Sequence, residues 1–350
     1  MPIITLIMRI SKHRITATEV ARLAGVSQPT VSLILSRNPK ARIAPETRQR
    51  VLRIAEEIGY RPNRLAQGLA NRRSFAIGVI VPGFDNPFYV SVLSGAERVA
   101  AEAGYAVLIS ESRLVDVVQH LEALRDRQID GVILAGIAAS TLPPRALDDL
   151  NVVLINQPSD RYSTVAGDSL MAGEIAAEHL LSLGHKRIAF IGPANAIPAY
   201  RFRERGFVQA LRAAGVGMPS DLLRRANATI ADGFSAMRTL LRLPEPPTAL
   251  FCANDLIALG AHKACGAAGV QLPRNISLLG CDDIEIGTLV APELSTIAVP
   301  QSELGARAVR LLLRQLEQED PMPPVSQILP VRLVVRGTTG PVINLIGGER

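Results

Sequence analysis

Residues 15–35 read ITATEVARLAGVSQPTVSLIL, and the spacing of this stretch decides what the first domain is. Thr18 offers a hydroxyl that can cap a helix made of Glu19 to Ala24. Gly25 permits a sharp turn, Ser27 supplies a second cap, and Pro29 falls in a first helical turn where its missing N–H costs nothing. Val31, Ile34 and Leu35 then form an apolar stripe, which leaves Gln28, Thr30 and Ser32 facing outward. Two short helices joined in this way form a helix-turn-helix, in which the start of the second helix meets base edges while the first crosses the DNA backbone.

The charge distribution points the same way. Residues 1–73 carry 14 Lys and Arg against 4 Asp and Glu, whereas the rest of the chain carries 24 against 28. A fold does not require such asymmetry, but neutralising phosphates and releasing their counterions does. Arg37, Lys40, Arg42, Arg48, Arg50 and Arg53 flank the motif, where phosphates would run.

At 350 residues and 48% hydrophobic content, the chain can build two or three packed units. The apolar run from Met1 to Met8 is too short to span a bilayer and lacks the basic start of a secretory signal, and Met8 could equally be the start of translation. Cys252, Cys265 and Cys281 fit neither a disulfide framework nor a metal spacing. Their apolar settings read as small buried residues in a reducing compartment, so the expected location is cytoplasmic. Pro45 opens a third helix, read over 46–58 and closed by Gly59. Residues 61–74, with Pro62 and the pair Arg72 and Arg73, read as a linker holding a short helix near 64–70.

From Phe75 the periodicity changes. Apolar runs at 76–81, 106–109, 132–134, 152–155, 188–191, 249–252 and 276–279 alternate with helical stretches near 87–103, 168–183, 200–214, 233–242, 254–268 and 300–316. Such alternation predicts parallel sheets covered by helices on both faces. The length is too great for one open sheet, so two similar lobes with a cleft between them are expected.

Several short motifs occur in order along the chain. They are AGVSxxTVS at Ala24–Ser32, GYRPNRLAQGLA at Gly59–Ala70, Asp85-Asn86-Pro87-Phe88, Gly184-His185 and Arg203-x-x-Gly206-Phe207. Ala253-Asn254-Asp255, Gly280-x-Asp282-Asp283 and Pro292-x-Leu294-x-Thr296-Ile297 follow. Together they resemble the lactose-repressor (LacI/GalR) family of bacterial transcription regulators over about residues 15–337. The resemblance implies an α/β protein with a three-helix, helix-turn-helix head and a two-lobed core like the periplasmic binding proteins, built of doubly wound parallel sheets. The implied organisation is a head at 1–60, with 1–14 expected to be disordered, a hinge at 61–74, a core at 75–340 and a tail at 341–350. Within the core, one lobe is read as about 75–160 with 298–320, the other as 161–297 with 321–340.

The same resemblance implies a repressor whose dimer holds a palindromic operator in double-stranded DNA, with pairing of dimers into a tetramer left open. The expected DNA contacts are Thr16, Ser27, Gln28, Pro29, Thr30, Ser32, Leu33, Ser36, Arg37, Asn63, Ala66 and Leu69. In the family the hinge becomes helical on operator DNA and a leucine wedges into the minor groove. Leu69 stands at that position, a packing leucine being the alternative. Gln28 can pair with adenine, and apolar groups can meet a thymine methyl. Leu33 stands where most relatives carry an arginine that reads guanine, which departs from the common half-site.

For the core, ligand groups are expected at the carboxyl ends of strands. Asn86, Phe88, Asn156, Asn254 and Asp282 fall there, and correspondence with the family adds Arg203, Phe234 and Gln301. Asn, Asp and Arg pair with adjacent hydroxyls and Phe gives an apolar face, so the expected effector is a sugar or sugar derivative, with a purine as alternative. Asp282 and Asn254 read alternatively as helix caps, and Phe234 as core. No cofactor and no metal are expected. The chain holds no GxGxxG, Walker-type loop, GxSxG or zinc-spaced His pair, and its five histidines are scattered, which argues against an enzyme. The missing signal and the basic head argue against a periplasmic receptor.

Overall fold

The computed structural model describes residues 15–35, 43–60, 73–112, 116–193, 197–318 and 320–343. The chain divides into two compact units at Ser74/Phe75.

The first unit contains α1 (Ala17–Ala24), α2 (Gln28–Leu35) and α3 (Pro45–Glu57). Its core is small and apolar, with Val20, Ala21, Ala24, Val31, Ile34, Val51 and Ala55 buried against one another. The cap of α1 is Thr16 and not Thr18. Thr16 is extended (φ −107°, ψ 159°) and its Oγ1 accepts from the Glu19 N–H at 3.4 Å, while Thr18 already lies inside the helix. Gly25 adopts the left-handed conformation (φ 62°) that closes α1. Arg50, expected to face phosphate, instead donates its Nε–H to the Ala24 carbonyl at 3.0 Å and ties α3 to the end of α1.

The second unit holds two six-stranded sheets. The first runs β2 (Ala106–Glu111), β1 (Ala76–Val81), β3 (Gly131–Ala135), β4 (Asn151–Ile155), β5 (Ser163–Gly167), β11 (Ser326–Leu329), all parallel. The second runs β7 (Leu223–Arg225), β6 (Ile188–Gly192), β8 (Ala249–Cys252), β9 (Ser277–Asp282), β10 (Ser295–Ala298), β12 (Arg332–Val334). Only β12 is antiparallel among these pairs. The central strands are near-continuous apolar runs because helices bury both faces. Cys252, Cys265 and Cys281 are free and buried, and burial pushes all three thiols up.

The helices of the core are α4 (Pro87–Glu102), α5 (Val117–Arg125), α6 (Ser169–Ser182), α7 (Pro198–Ala213), α8 (Ile230–Leu241), α9 (Asp255–Ala267) and α10 (Gln301–Glu317). Helix α10 packs on α4 and on β3, β4 and β5, so it returns the chain to the first lobe as expected. The lobe boundaries differ from expectation at two places. β5 and β11, assigned by sequence to the second lobe, pair in the first sheet. Both are short and carry Ser, Thr, Gln or Gly in place of an apolar run. The chain therefore crosses between lobes at 167–169, 298–301 and 329–332. These crossings touch: a Cβ on Gly167 would lie 2.9 Å from Val299 and 3.8 Å from Val331.

Candidate functional site

On α2 the exposed residues are Gln28, Pro29, Ser32 and Leu33, with Ser27 exposed just before it. Leu33 is 41% exposed, like Leu23 and Leu52 of the same unit at 45% each. The Ser27 and Thr30 hydroxyls lie 2.8 Å apart, and Ser27 Oγ accepts from the Thr30 N–H at 3.3 Å. These two residues thus fix the start of α2, which carries no acidic first turn and no basic last turn. The result is an uncharged helix face that can offer phosphates hydroxyls but no neutralising charge. Thr16 is exposed beside it. Ser36, Arg37, Asn63, Ala66 and Leu69 lie outside the described residues.

In the core, α7 is held so tightly against α6 that a Cβ on Gly173 would lie 2.0 Å from the Arg203 carbonyl oxygen. This contact fixes Arg203, whose side chain enters the cleft between the lobes. Its Nη2 donates to Asp282 Oδ1 at 2.8 Å and its Nη1 to the Ala253 carbonyl at 2.5 Å. The two side chains are only 3% and 5% exposed. Burial pushes the Asp282 carboxyl up to about 6, with Arg203 pulling against that rise. Arg203 also lies over the Tyr200 ring, 5.6 Å from its centroid.

The backbone around this ion pair is strained. Asp282 (φ 126°), Asp283 (φ 61°) and Asn156 (φ 61°) all have positive φ without being glycine, a cost that surrounding structure must offset. The offsetting contacts are visible. Gln301 Nε2 donates to the Asp282 carbonyl, Asp283 Oδ1 accepts from Arg336 at 2.6 Å, and the Ile284 N–H donates to Asp255 Oδ2 at 2.9 Å. Asp255 also accepts from the Thr296 hydroxyl at 2.7 Å, and burial together with the Asp282 charge raises its carboxyl to about 7.

Five of the eight expected effector residues line one cavity: Asn86, Phe88, Asn156, Arg203 and Asp282. Asn86 caps α4, accepting from the Phe88 N–H at 3.0 Å, and Asn156 Oδ1 accepts from the Gly167 N–H at 3.1 Å. Asn254 is adjacent, fully buried, and caps α9 through the Ile257 N–H at 3.0 Å. Gln301 supports Asp282 from behind and lines a separate hollow at the crossings. Phe234 is not brought to the cavity. It sits half-buried on α8 with Arg238 and Lys263 over its ring, because the helical phase turns it toward α9. Tyr89 and Tyr200 belong to the cavity and were missed from sequence. Tyr200 stands three residues before Arg203, on the same helical face, which is the signal that could have found it.

One buried donor in the cavity wall, Arg203 Nε, has no hydrogen-bond partner, while the Asn254 amide interacts with the Tyr200 hydroxyl. An orphan donor of this kind costs free energy unless something else satisfies it. The cavity therefore offers a carboxylate, a guanidinium and amides around two phenolic rings, a set suited to a small polyhydroxylated ligand.

Comparison with known proteins agrees with this architecture. Residues 16–63 match the family described as bacterial regulatory proteins, lacI family, and residues 177–339 match the periplasmic binding protein-like domain. The chain is 35% identical to the HTH-type transcriptional repressor CytR of Escherichia coli K12 over 340 residues, 95% of this chain and 99% of the relative. The chain belongs to the LacI family. It is a DNA-binding transcriptional regulator and not an enzyme. Among solved structures, the lac repressor dimer bound to operator and the anti-inducer ONPF superposes with a TM-score of 0.78 at 27% identity, covering 93% of this chain and 99% of that one. A CelR–cellobiose complex gives 0.71 at 28%, covering 93% and 100%. Among the described residues no helix is long and apolar enough to cross a membrane.

Proposed function

We propose that this LacI-family regulator is a cytoplasmic repressor whose dimer grips a palindromic operator and is switched by a sugar or sugar derivative bound at Arg203 and Asp282. The observation that carries the effector assignment is the unpartnered Arg203 Nε in a buried ion pair that lines the cavity, with Asp282 on strained backbone. A hydroxyl of a sugar ring would satisfy that donor. Asn86, Phe88 and Asn156 supply the opposite wall from the first lobe, so a ligand there contacts both lobes and favours one angle between them. That angle sets the spacing of the two hinges in a dimer paired core to core, and hence whether two heads fit half-sites about 10 bp, or a multiple, apart. The cellobiose bound by CelR is in keeping with this chemistry.

On DNA, Gln28, Pro29 and Leu33 read base edges, Ser27, Thr30, Ser32 and Thr16 fix the helix or meet phosphates, and Ser36, Arg37, Asn63, Ala66 and Leu69 complete the contact as the family pattern implies. A thermal-shift screen of sugars, polyols and purines on the full chain tests the effector reading. The expected result is a concentration-dependent rise in Tm with one sugar class, which also shifts the midpoint of an operator gel-shift titration. Stabilisation by purines alone, or by none of the three classes, would sink it.

A further inference from the structure

Two phenol rings fill the cleft at the Arg203–Asp282 pair. Tyr89, from α4 of the first lobe, and Tyr200, from α7 of the second, are each 7% exposed, and both belong to the apolar core that runs through the two lobes. Tyr89 is packed from the first lobe. Its ring meets Phe88 edge to face at 5.2 Å, and a Cβ on Gly136, a left-handed residue (φ 66°) just after β3, would lie 2.1 Å from its hydroxyl oxygen. Only glycine leaves room for the phenol there. Tyr200 is packed from the second lobe, its ring beneath the Arg203 guanidinium and its hydroxyl interacting with the Asn254 amide. Burial first, then Tyr200 and Asp282, push the Tyr89 phenol up, so the first-lobe ring stands among second-lobe groups. The space left beside Arg203 and Asp282 is about 10 Å³, roughly the room of one water. Small-molecule sites commonly measure ~300–1,000 Å³, so a ligand ring and both phenols cannot share this place.

We propose that Tyr89 and Tyr200 form a plug that closes the two lobes on each other, and that the effector is a wedge, taking the place of the rings by parting the lobes. This rests on the reading of the cleft as the effector site and deepens it by giving the direction of the switch. Free energy spent on withdrawing the two rings from the core is subtracted from the binding of any ligand, so the plug sets the apparent affinity through the fraction of molecules that stand open. An ordinary ligand contact acts with the opposite sign, since its truncation takes binding energy away.

The test is calorimetric titration of the full chain, as wild type, Tyr89→Ala and Tyr200→Ala, with ribose, glucose, galactose, xylose and cellobiose, alongside amide hydrogen exchange of peptides covering 86–92 and 197–203. In the protein alone these peptides should exchange as slowly as β3. The sugar that binds should speed their exchange, and both alanine variants should bind it about 10-fold more tightly than wild type, or bind where wild type does not. Affinity that is unchanged or weaker in either variant, or exchange that slows when sugar binds, would overturn the wedge while leaving the sugar reading intact. p-Cresol, which can refill the space of the missing ring, should raise the Tm of Tyr89→Ala by several degrees and leave that of wild type unmoved. Should none of the sugars bind any of the three proteins, the sugar reading falls, and the plug is decided without them. Slow exchange of both peptides with rescue by p-cresol upholds it, and fast exchange of either peptide, or no response to p-cresol, overturns it.

Discussion

The DNA-facing helix and the effector cleft use side chains in opposite ways. On α2 the residues proposed to read bases, Gln28, Pro29 and Leu33, are exposed and uncharged, and the residues that shape the helix start, Ser27 and Thr30, are satisfied by each other. In the cleft, Arg203 and Asp282 are ionisable and buried, Asp282 stands on strained backbone and Arg203 Nε has no partner. The first surface can be altered without disturbing the apolar centre formed by Val20, Val31 and Val51. The second cannot, because the groups that would bind ligand are also part of what folds the second lobe. Recognition of DNA and stability are therefore separable in this chain, whereas recognition of effector and stability are coupled.

The largest effect should come from breaking the buried pair. Arg203→Ala leaves the Asp282 carboxylate buried without its cation, a change that typically costs ~3–5 kcal/mol, or roughly 10 °C in Tm for a domain of this size. Asp282, already raised to about 6, would be driven further toward its neutral form. The expected outcome is a core that melts early and no longer responds to effector, with operator binding retained in gel shifts run well below the new Tm. A variant with wild-type Tm and a normal effector response would abolish the contrast drawn above.

A smaller effect sharpens the same contrast by pH. Asp255 titrates near 7 in the folded core, raised by burial first and by the Asp282 charge second, from an ordinary value of 3.8. A carboxyl raised on folding binds its proton more tightly in the native state, so its contribution to stability is full below about pH 4 and is lost as pH rises through about 7. Urea unfolding of the core at pH 5 and pH 8 should show wild type losing stability over that interval, by ~1 kcal/mol or more. Asp255→Asn will differ in absolute stability, since an amide can accept from only one of Thr296 and Ile284. Its loss between pH 5 and pH 8 should nevertheless be clearly smaller. Parallel curves for the two proteins would show that Asp255 does not titrate in this range.

How far the sequence revealed the molecule follows from how apolar each strand is. β1, β3, β4, β6, β8 and β9 were legible as apolar runs that helices cover, as in Ile188–Gly192, and so was β2, although it is a half-exposed edge strand. β5 (STVAG) and β11 (SQIL) were not, because Ser, Thr, Gln or Gly interrupt the apolar run, and the lobe boundary was misplaced with them. Helix α5 also went unread, as a single covering helix of nine residues. Within the cleft, Asn86, Asn156 and Asp282 were legible since the carboxyl ends of parallel strands converge on one crevice. Phe234 was added by correspondence with the family, and its place on the helix turns it toward Lys263 and away from this cavity. Tyr89 and Tyr200 were passed over because a buried aromatic on a helix usually belongs to a core, and here they serve both the core and the cavity.

The smallest expected effect falls on the head and discriminates between two neighbouring threonines. Thr16 accepts the Glu19 N–H and has the extended backbone of a cap, whereas Thr18 is an exposed residue within the first turn of α1. Removing a capping hydroxyl usually costs ~1 kcal/mol, while exposed substitutions away from such features stay within about 0.5 kcal/mol. Thr18→Ala should even gain slightly, alanine being the better helix former. Thermal melts monitored by amide exchange at Val20 and Ala21 should therefore show Thr16→Ala loosening α1 and Thr18→Ala leaving it unchanged or firmer. The reverse order would return the cap to Thr18 and shorten α1 to the helix read from sequence. Neither substitution should alter the Tm of the core, because the two threonines belong to the first compact unit and the core to the second.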